Sequence, residues 1–129
     1  MTAIYFLSIE EVLIIHEKMI DIGGGSSGLR DIELLHSALG RSQASFGGEF
    51  LYNSIVEMGA AMLQSLVKNH PFIDGNKRTA FFSTLRFLEK NGYELKFQDD
   101  EIVKFMVEVD TKNLSIKEMS AFFTYHLVD

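Results

Sequence analysis

One proline occurs in the 129 residues, and it sits in the stretch His70-Pro71-Phe72-Ile73-Asp74-Gly75-Asn76-Lys77-Arg78. A proline with a glycine four residues on interrupts any regular element. Long stretches of helical apolar period flank it on both sides, so it reads as a loop between two helices, the second opening just after Gly75. A helix start presents unpaired N–H groups and the positive end of the peptide dipole, which together favour anions. The dipole by itself selects acids at that end. Two cations there, Lys77 and Arg78, call for another partner, and a bound polyphosphate supplies one.

The rest of the chain reads as helices built around this loop. Ser8 and Glu11 form a capping box, followed by Ile9, Val12, Leu13, His16, Met19 and Ile20 at helical spacing as far as about Ile22. Gly23, Gly25 and Gly28 then match G-x-G-x-x-G. The dinucleotide reading of that pattern needs a preceding strand and a βαβ unit, and a helix precedes it here. The stretch reads instead as a flexible helix–helix connection. Asp31 caps a second helix that ends at Gly40. Residues 41–52 have no period, and Gly47-Gly48 marks the turn of a small hairpin. Asn53 is the expected cap of a third helix, in which Gly59-Ala60-Ala61 offers a thin face for a neighbour. A fourth helix, from about Asn76 to Asn91, is apolar over most of its circumference and reads as the buried centre. Tyr93–Phe97 reads as a short extended piece. Asp99 or Asp100 caps a fifth helix, and Ser115 with Glu118 boxes a sixth. Six helices with short links and almost no strand make an all-α, single-domain chain over residues 1–129.

Composition excludes several function classes. The net charge of −6 argues against a general nucleic-acid surface, so the cations near residue 77 are a local feature. With no cysteine there is no disulfide, thiolate metal site or thiol nucleophile. No apolar run reaches membrane-spanning length, and Met1–Phe6 lacks the basic region and long apolar run of a leader, so the expected location is the cytoplasm.

Among four histidines, His16, His36 and His126 lie in amphipathic stretches and read as packing or surface residues. His70 stands at a loop mouth beside a proline, and its ordinary pKa near 6.5 suits a general base. Asp74 is either a turn and cap residue or a hard oxygen ligand for magnesium on a nucleotide's phosphates. Gly75 lets a phosphate approach the backbone, and Asn76 and Arg78 can donate to its oxygens. Phe72 is expected to plug inward.

His70–Arg78 resembles the signature H-x-F-x-[DE]-[AG]-N-[KG]-R of the Fic/Doc superfamily. Gly28-Leu29-Arg30-Asp31, Leu34-Leu35, Phe46-Gly47-Gly48, Asn69 and Asn91-Gly92-Tyr93 resemble its death-on-curing branch along nearly the whole chain. The resemblance implies a Fic-type helical core and an ATP- and Mg2+-dependent transferase. His70 would deprotonate a target hydroxyl, with Arg78 catalytic beside it. Asp74 would hold the metal, and Gly75, Asn76, Lys77 and Arg78 would cradle phosphates. Residues Arg41–Glu49 would be the flap that docks the target segment.

Two positions depart from the AMP-transferring pattern H-P-F-x-x-G-N-G-R-x-x-R: Lys77 replaces its second glycine and Phe81 its second arginine. Both changes resemble the death-on-curing branch, which places the nucleotide reversed, with the γ-phosphate toward the histidine, and phosphorylates elongation factor Tu. The implied protein is the toxin of a toxin–antitoxin pair, a kinase that arrests translation. No stretch fits the cis-inhibitory motif [ST]-x-x-x-E-[GN]. The implied brake is an antitoxin that supplies an inhibitory helix in trans. An AMP transferase acting on a protein hydroxyl is the alternative, and a catalytically idle Fic domain kept as a binding module is a third reading.

Overall fold

The computed structural model describes residues 3–128; Met1, Thr2 and Asp129, which include the start of the segment read for a leader, lie outside the described residues. Its elements are α1 (Ile9–Gly23), α2 (Ile32–Gly40), a 3₁₀ turn (Arg41–Gln43), a hairpin of β1 (Ser45–Phe46) and β2 (Glu49–Phe50), then α3 (Ile55–Asn69), α4 (Asn76–Lys90), α5 (Asp99–Thr111) and α6 (Ile116–Tyr125). The fold is all-α, with six helices and one two-stranded antiparallel hairpin.

Local chemistry starts most helices where the sequence predicts. The boxes Ser8/Glu11 and Ser115/Glu118 are both closed, and the Asp31 carboxylate accepts from the N–H groups of Glu33 and Leu34. Two caps differ. Ser54, not Asn53, begins α3, its hydroxyl accepting from Glu57 N–H. Ser54 and Glu57 have the same three-residue spacing as the other boxes, which makes serine the better-placed cap. Gln98 precedes α5, with its N–H donated to Glu101; Asp99 and Asp100 occupy the first turn, where the dipole favours acids. Tyr93–Phe97 forms no strand of its own. It contributes one bridge, Leu95 to Leu127.

The α3–α4 pair forms the middle of the molecule. α2, α6 and the 3₁₀ turn pack on α3, and α1 packs on α4. At Gly59 α4 packs close against α3: a β-carbon there would lie 3.3 Å from Thr84 Cγ2 and 3.4 Å from Leu88 Cδ2. The thin face predicted at Gly59-Ala60-Ala61 is thus covered by α4, and all three residues are buried. Burial is therefore shared between α3 and α4 rather than centred on α4 alone. On α4, Phe81 and Phe87 are fully buried. Phe81 packs against Phe82, Phe97, Phe105 and Phe123, which joins α4 to α5, α6 and the segment between α4 and α5. Burying side chains of this size stabilises the fold by about 1.5–3 kcal/mol each. It also fixes the rotation of α4, and hence the direction its first turn faces. Among the described residues no helix is long and apolar enough to cross a membrane.

Candidate functional site

α3 ends at Asn69, and the next residue, His70, has left-handed backbone (φ 52°, ψ 54°). A side chain in that region costs about 1–2 kcal/mol, and a following proline pushes the residue before it toward extended backbone instead. Such a conformation persists only where its surroundings enforce it. Arg30 is one enforcer, donating from Nε to the His70 carbonyl at 2.7 Å and from Nη2 to the Asn69 carbonyl at 2.8 Å. The Pro71 carbonyl accepts from the N–H groups of Arg30 and Asp31. His70 is held from below by the segment that leads into α2, and its side chain is exposed.

Phe72 turns inward as predicted, 1% exposed, and plugs the loop into the core. Its ring stacks on the buried His16 ring, with centroids 3.8 Å apart and planes 8° from parallel. His16 Nε2 donates to the Asp74 carbonyl at 2.8 Å. His16 is a packing residue, as read from the sequence, but the loop is what it packs. The fold brings it under the signature from 58 residues away.

The glycine stretch 23–28 is a helix–helix connection, as predicted. It is also a collar laid along the loop. Ser26 N–H donates to Asp74 Oδ2 at 3.3 Å, and Ile73 N–H donates to the Gly28 carbonyl at 3.1 Å. Arg78 donates from Nη1 to the Met19 carbonyl at 2.9 Å and from Nη2 to the Gly24 carbonyl at 3.0 Å. Gly25 has φ 114°, and a β-carbon there would meet Asp74 Oδ2 at 2.6 Å. Glycine is needed at that point because backbone and carboxylate touch. The G-x-G-x-x-G spacing thus serves close approach to a side chain of the same chain.

α4 begins at Asn76 with Gly75 as a left-handed N-cap and no side chain capping it. Among the described residues the N–H groups of Asn76, Lys77 and Arg78 have no hydrogen-bond acceptor. The Gly75 N–H is taken by Asp74 Oδ1 at 2.9 Å. Asn76 is 6% exposed, and its amide is used inside the loop: Oδ1 accepts from Phe72 N–H, while Nδ2 donates to the Phe72 carbonyl and to His70 Nδ1. Only its backbone N–H is left for a ligand in this arrangement. Lys77 points to α5 and pairs with Asp110 at 2.7 Å, both side chains about half exposed.

His70, Ile73, Asp74, Gly75, Asn76, Lys77, Arg78 and Asp110 line one cleft of about 410 Å³. All the residues read from the sequence as site candidates therefore meet in one place. Asp110 joins them in the cleft wall, while Arg30 and His16 hold the loop through its backbone carbonyls, and only tertiary structure places those three there. The Asp74 carboxyl is held below its ordinary pKa, first by the Gly75 N–H, then by Ser26 N–H, with Arg78 adding its charge. It is exposed and ionised, and each oxygen, having accepted one hydrogen bond, keeps acceptor capacity. Such an oxygen suits magnesium, which takes one or two carboxylates and fills its remaining positions from phosphates and water. Among the described residues no group of three His, Cys, Asp or Glu side chains forms a metal cage, which is compatible with that mode.

A family model described as Fic/DOC family matches residues 6–88. The chain is similar to the protein named Toxin Doc of Mycolicibacterium smegmatis, at 39% identity over 100 residues that cover 76% of this chain and 77% of that one. It is also similar to the protein named Protein kinase doc of Escherichia phage P1, at 32% identity over 114 residues that cover 88% and 89%.

Proposed function

The chain belongs to the Fic/DOC family, and from that premise we propose that it is the toxin of a toxin–antitoxin pair, a single cytoplasmic domain over residues 1–129 that transfers the γ-phosphoryl group of ATP to a protein hydroxyl. The expected target is elongation factor Tu, and the expected outcome is arrest of translation. The observation that carries this reading is the meeting of His70, Asp74 and the uncapped start of α4, with Lys77 and Arg78, in one cleft. The similarity to a protein named as a kinase agrees with it.

Each residue then has a task. The free N–H groups of Asn76, Lys77 and Arg78 receive phosphate oxygens, together with the dipole of α4. Gly75 supplies the left-handed turn (φ 74°) that opens α4, and a β-carbon there would meet Ile20 Cδ1 at 3.1 Å. Arg78 has five N–H donors and uses one on α1 and one on the collar, so the others remain for phosphate. Lys77 supplies a point charge. Asp74 holds Mg2+, which when bound neutralises charge building on the phosphates. His70 stands at the rim, where a target hydroxyl arrives and gives up its proton. Residues Arg41–Glu49, which run from the 3₁₀ turn into the β1–β2 hairpin, are the flap that receives the target segment. Arg41 anchors it through Tyr52 and Ser65, and Phe46 stands 86% exposed at its tip. The antitoxin acts in trans by laying a helix over the cleft, and the exposed apolar side chains of Leu29 and Ile73 beside the loop support such docking.

The test is to incubate the chain with elongation factor Tu, ATP and Mg2+ and to read the intact mass of the target. A gain of one phosphate is expected. A gain of one adenylate would replace the kinase reading by AMP transfer. An unchanged target, with ATP also intact, would favour the idle binding module.

A further inference from the structure

The Asn76 side chain can be oriented without ambiguity. A backbone N–H only donates and a backbone carbonyl only accepts, and Asn76 meets both from one residue: Phe72 N–H lies 2.9 Å from Oδ1, and the Phe72 carbonyl lies 2.9 Å from Nδ2. Turning the amide over would set donor against donor and acceptor against acceptor. Nδ2 therefore faces His70 Nδ1, at 3.0 Å, with its second hydrogen. A nitrogen that receives an N–H must offer a lone pair, and a neutral imidazole has only one such nitrogen.

We infer that Asn76 is a positioning residue that fixes neutral His70 as the tautomer with its proton on Nε2. The inference concerns the resting state of the histidine assigned above, and only its bearing on catalysis rests on the kinase reading. Among the described residues Nε2 meets no partner, so the free chain presents an N–H to the cleft at His70 rather than a lone pair. A lone pair at Nε2 exists only in the other tautomer. That tautomer puts a hydrogen on Nδ1, directed at the Asn76 N–H across 3.0 Å. The exchange is balanced: one proton leaves Nε2 to solvent and one arrives at Nδ1. It requires the Asn76–His70 bond to be given up. Nucleotide or target must therefore displace that bond before His70 can take a proton at Nε2. Until then His70 can only donate from that nitrogen, for example to a phosphoryl oxygen.

The experiment is 15N spectroscopy of the histidine ring in the full chain, at a pH where His70 is neutral, with His70 identified by its loss in His70→Ala. The parent is expected to show a protonated Nε2 and an unprotonated Nδ1. A proton on Nδ1, or an even mixture, would overturn the inference. Asn76→Asp replaces the donor by a carboxylate acceptor, so the proton is expected to move to Nδ1. A folded variant that keeps the parent pattern would likewise count against Asn76 as the cause. The carboxylate would also face the Phe72 carbonyl and can cost the loop its fold. Asn76→Ala, which is expected to broaden the parent pattern toward a mixture, covers that case, and an unchanged pattern there would again remove Asn76 from the role. These spectra need no ATP and no target, so failure of the phosphoryl-transfer assay leaves them standing, and the reverse also holds.

Discussion

Gly23 lies against the guanidinium of Arg78 so closely that a β-carbon there would fall 1.6 Å from Nη1. The last turn of α1 and the first turn of α4 thus meet at Arg78, which fills the space a side chain at Gly23 would occupy and bonds to the carbonyls of Met19 and Gly24. The colliding atom is the far end of a flexible side chain, so a methyl group at residue 23 displaces Arg78 rather than the backbone. Gly23→Ala is expected to leave stability within about 1 kcal/mol of the parent, because alanine also favours the helix that ends there. It is expected to weaken ATP binding or transfer several-fold. Thermal melts beside a titration of ATP separate the two effects. An unchanged KM for ATP would mean that the clasp does not set Arg78 for phosphate.

His70 combines a strained backbone with an exposed ring, a pattern in which stability and activity oppose one another. His70→Ala is expected to fold and to lose about 10²–10⁴-fold in transfer rate, the range for a group that handles a proton. His70→Gly removes the same ring but suits the left-handed backbone, so it is expected to be more stable than the alanine variant by about 1 kcal/mol. Denaturant melts of the two variants test the strain, and activity assays test the role. Equal melting of the two would show that Arg30 and the Pro71 carbonyl have already relieved the strain.

The readable and unreadable parts of this molecule divide by distance along the chain. Ser8, Asp31 and Ser115 were legible as caps because each bonds to backbone two or three residues on. Asn53 and Ser54 are two good cap types side by side, and the bond of Ser54 to Glu57 N–H decides between them. At α5 the cap is Gln98, a residue type outside the usual N-cap set, and the commoner cap types Asp99 and Asp100 follow it in the first turn. The loop was legible because its residues are contiguous. What holds the loop was not: His16 reaches Asp74 across 58 residues, Ser26 across 48, and Arg30 reaches His70 across 40. A histidine on a helical stripe carries no local mark of the ring it will stack on. Nor does a glycine run announce that a carboxylate will lie against it.

Phe81 limits how far the two Fic-type chemistries can be exchanged in this chain. It is fully buried among four other phenylalanines. An arginine there, the residue of the AMP-transferring pattern, would place a cation in an aromatic part of the core. Phe81→Arg is expected to cost more than about 3 kcal/mol, from lost packing and a buried charge together. A soluble variant that melts near the parent would mean that the α4–α5 contact yields easily and lets the guanidinium reach solvent.

Acid should loosen the collar before it unfolds the helices. The Asp74 carboxyl lies below its ordinary pKa because Gly75 and Ser26 donate N–H groups to its ionised form. That contribution is fully present above the unfolded carboxylate value, near 3.9. It is lost as the pH falls through the lower value in the folded chain. The amide signal of Ser26 is expected to shift in that window while amides within α3 hold still, and Asp74→Asn should abolish the step. A Ser26 signal that moves only with the global acid transition would show that the collar does not rest on this carboxylate.

Lys77 is one of the two positions on which the enzyme readings divide, and the fold adds a competitor to it. Its ammonium lies 2.7 Å from Asp110 on α5, in the wall of the cleft. An incoming phosphate must compete with Asp110 for that charge. Both side chains are about half exposed, so the pair is weak and readily exchanged; exposed pairs of this kind correspond to about 1.4- to 5-fold in an equilibrium constant. Asp110→Asn keeps the shape and removes the competing charge, and with it one negative charge facing the polyphosphate. ATP binding is expected to tighten by up to about five-fold. Lys77→Gly is expected to act in the opposite direction, weakening both ATP binding and phosphoryl transfer, without installing AMP transfer, because residue 81 remains a core phenylalanine. In the double variant the effect of Asp110→Asn should shrink to what simple charge repulsion leaves, since the lysine it restrained is gone. Calorimetry of ATP binding to the parent, both single variants and the double variant closes the cycle. Additive effects would mean that Asp110 repels the nucleotide directly and does not act by holding Lys77.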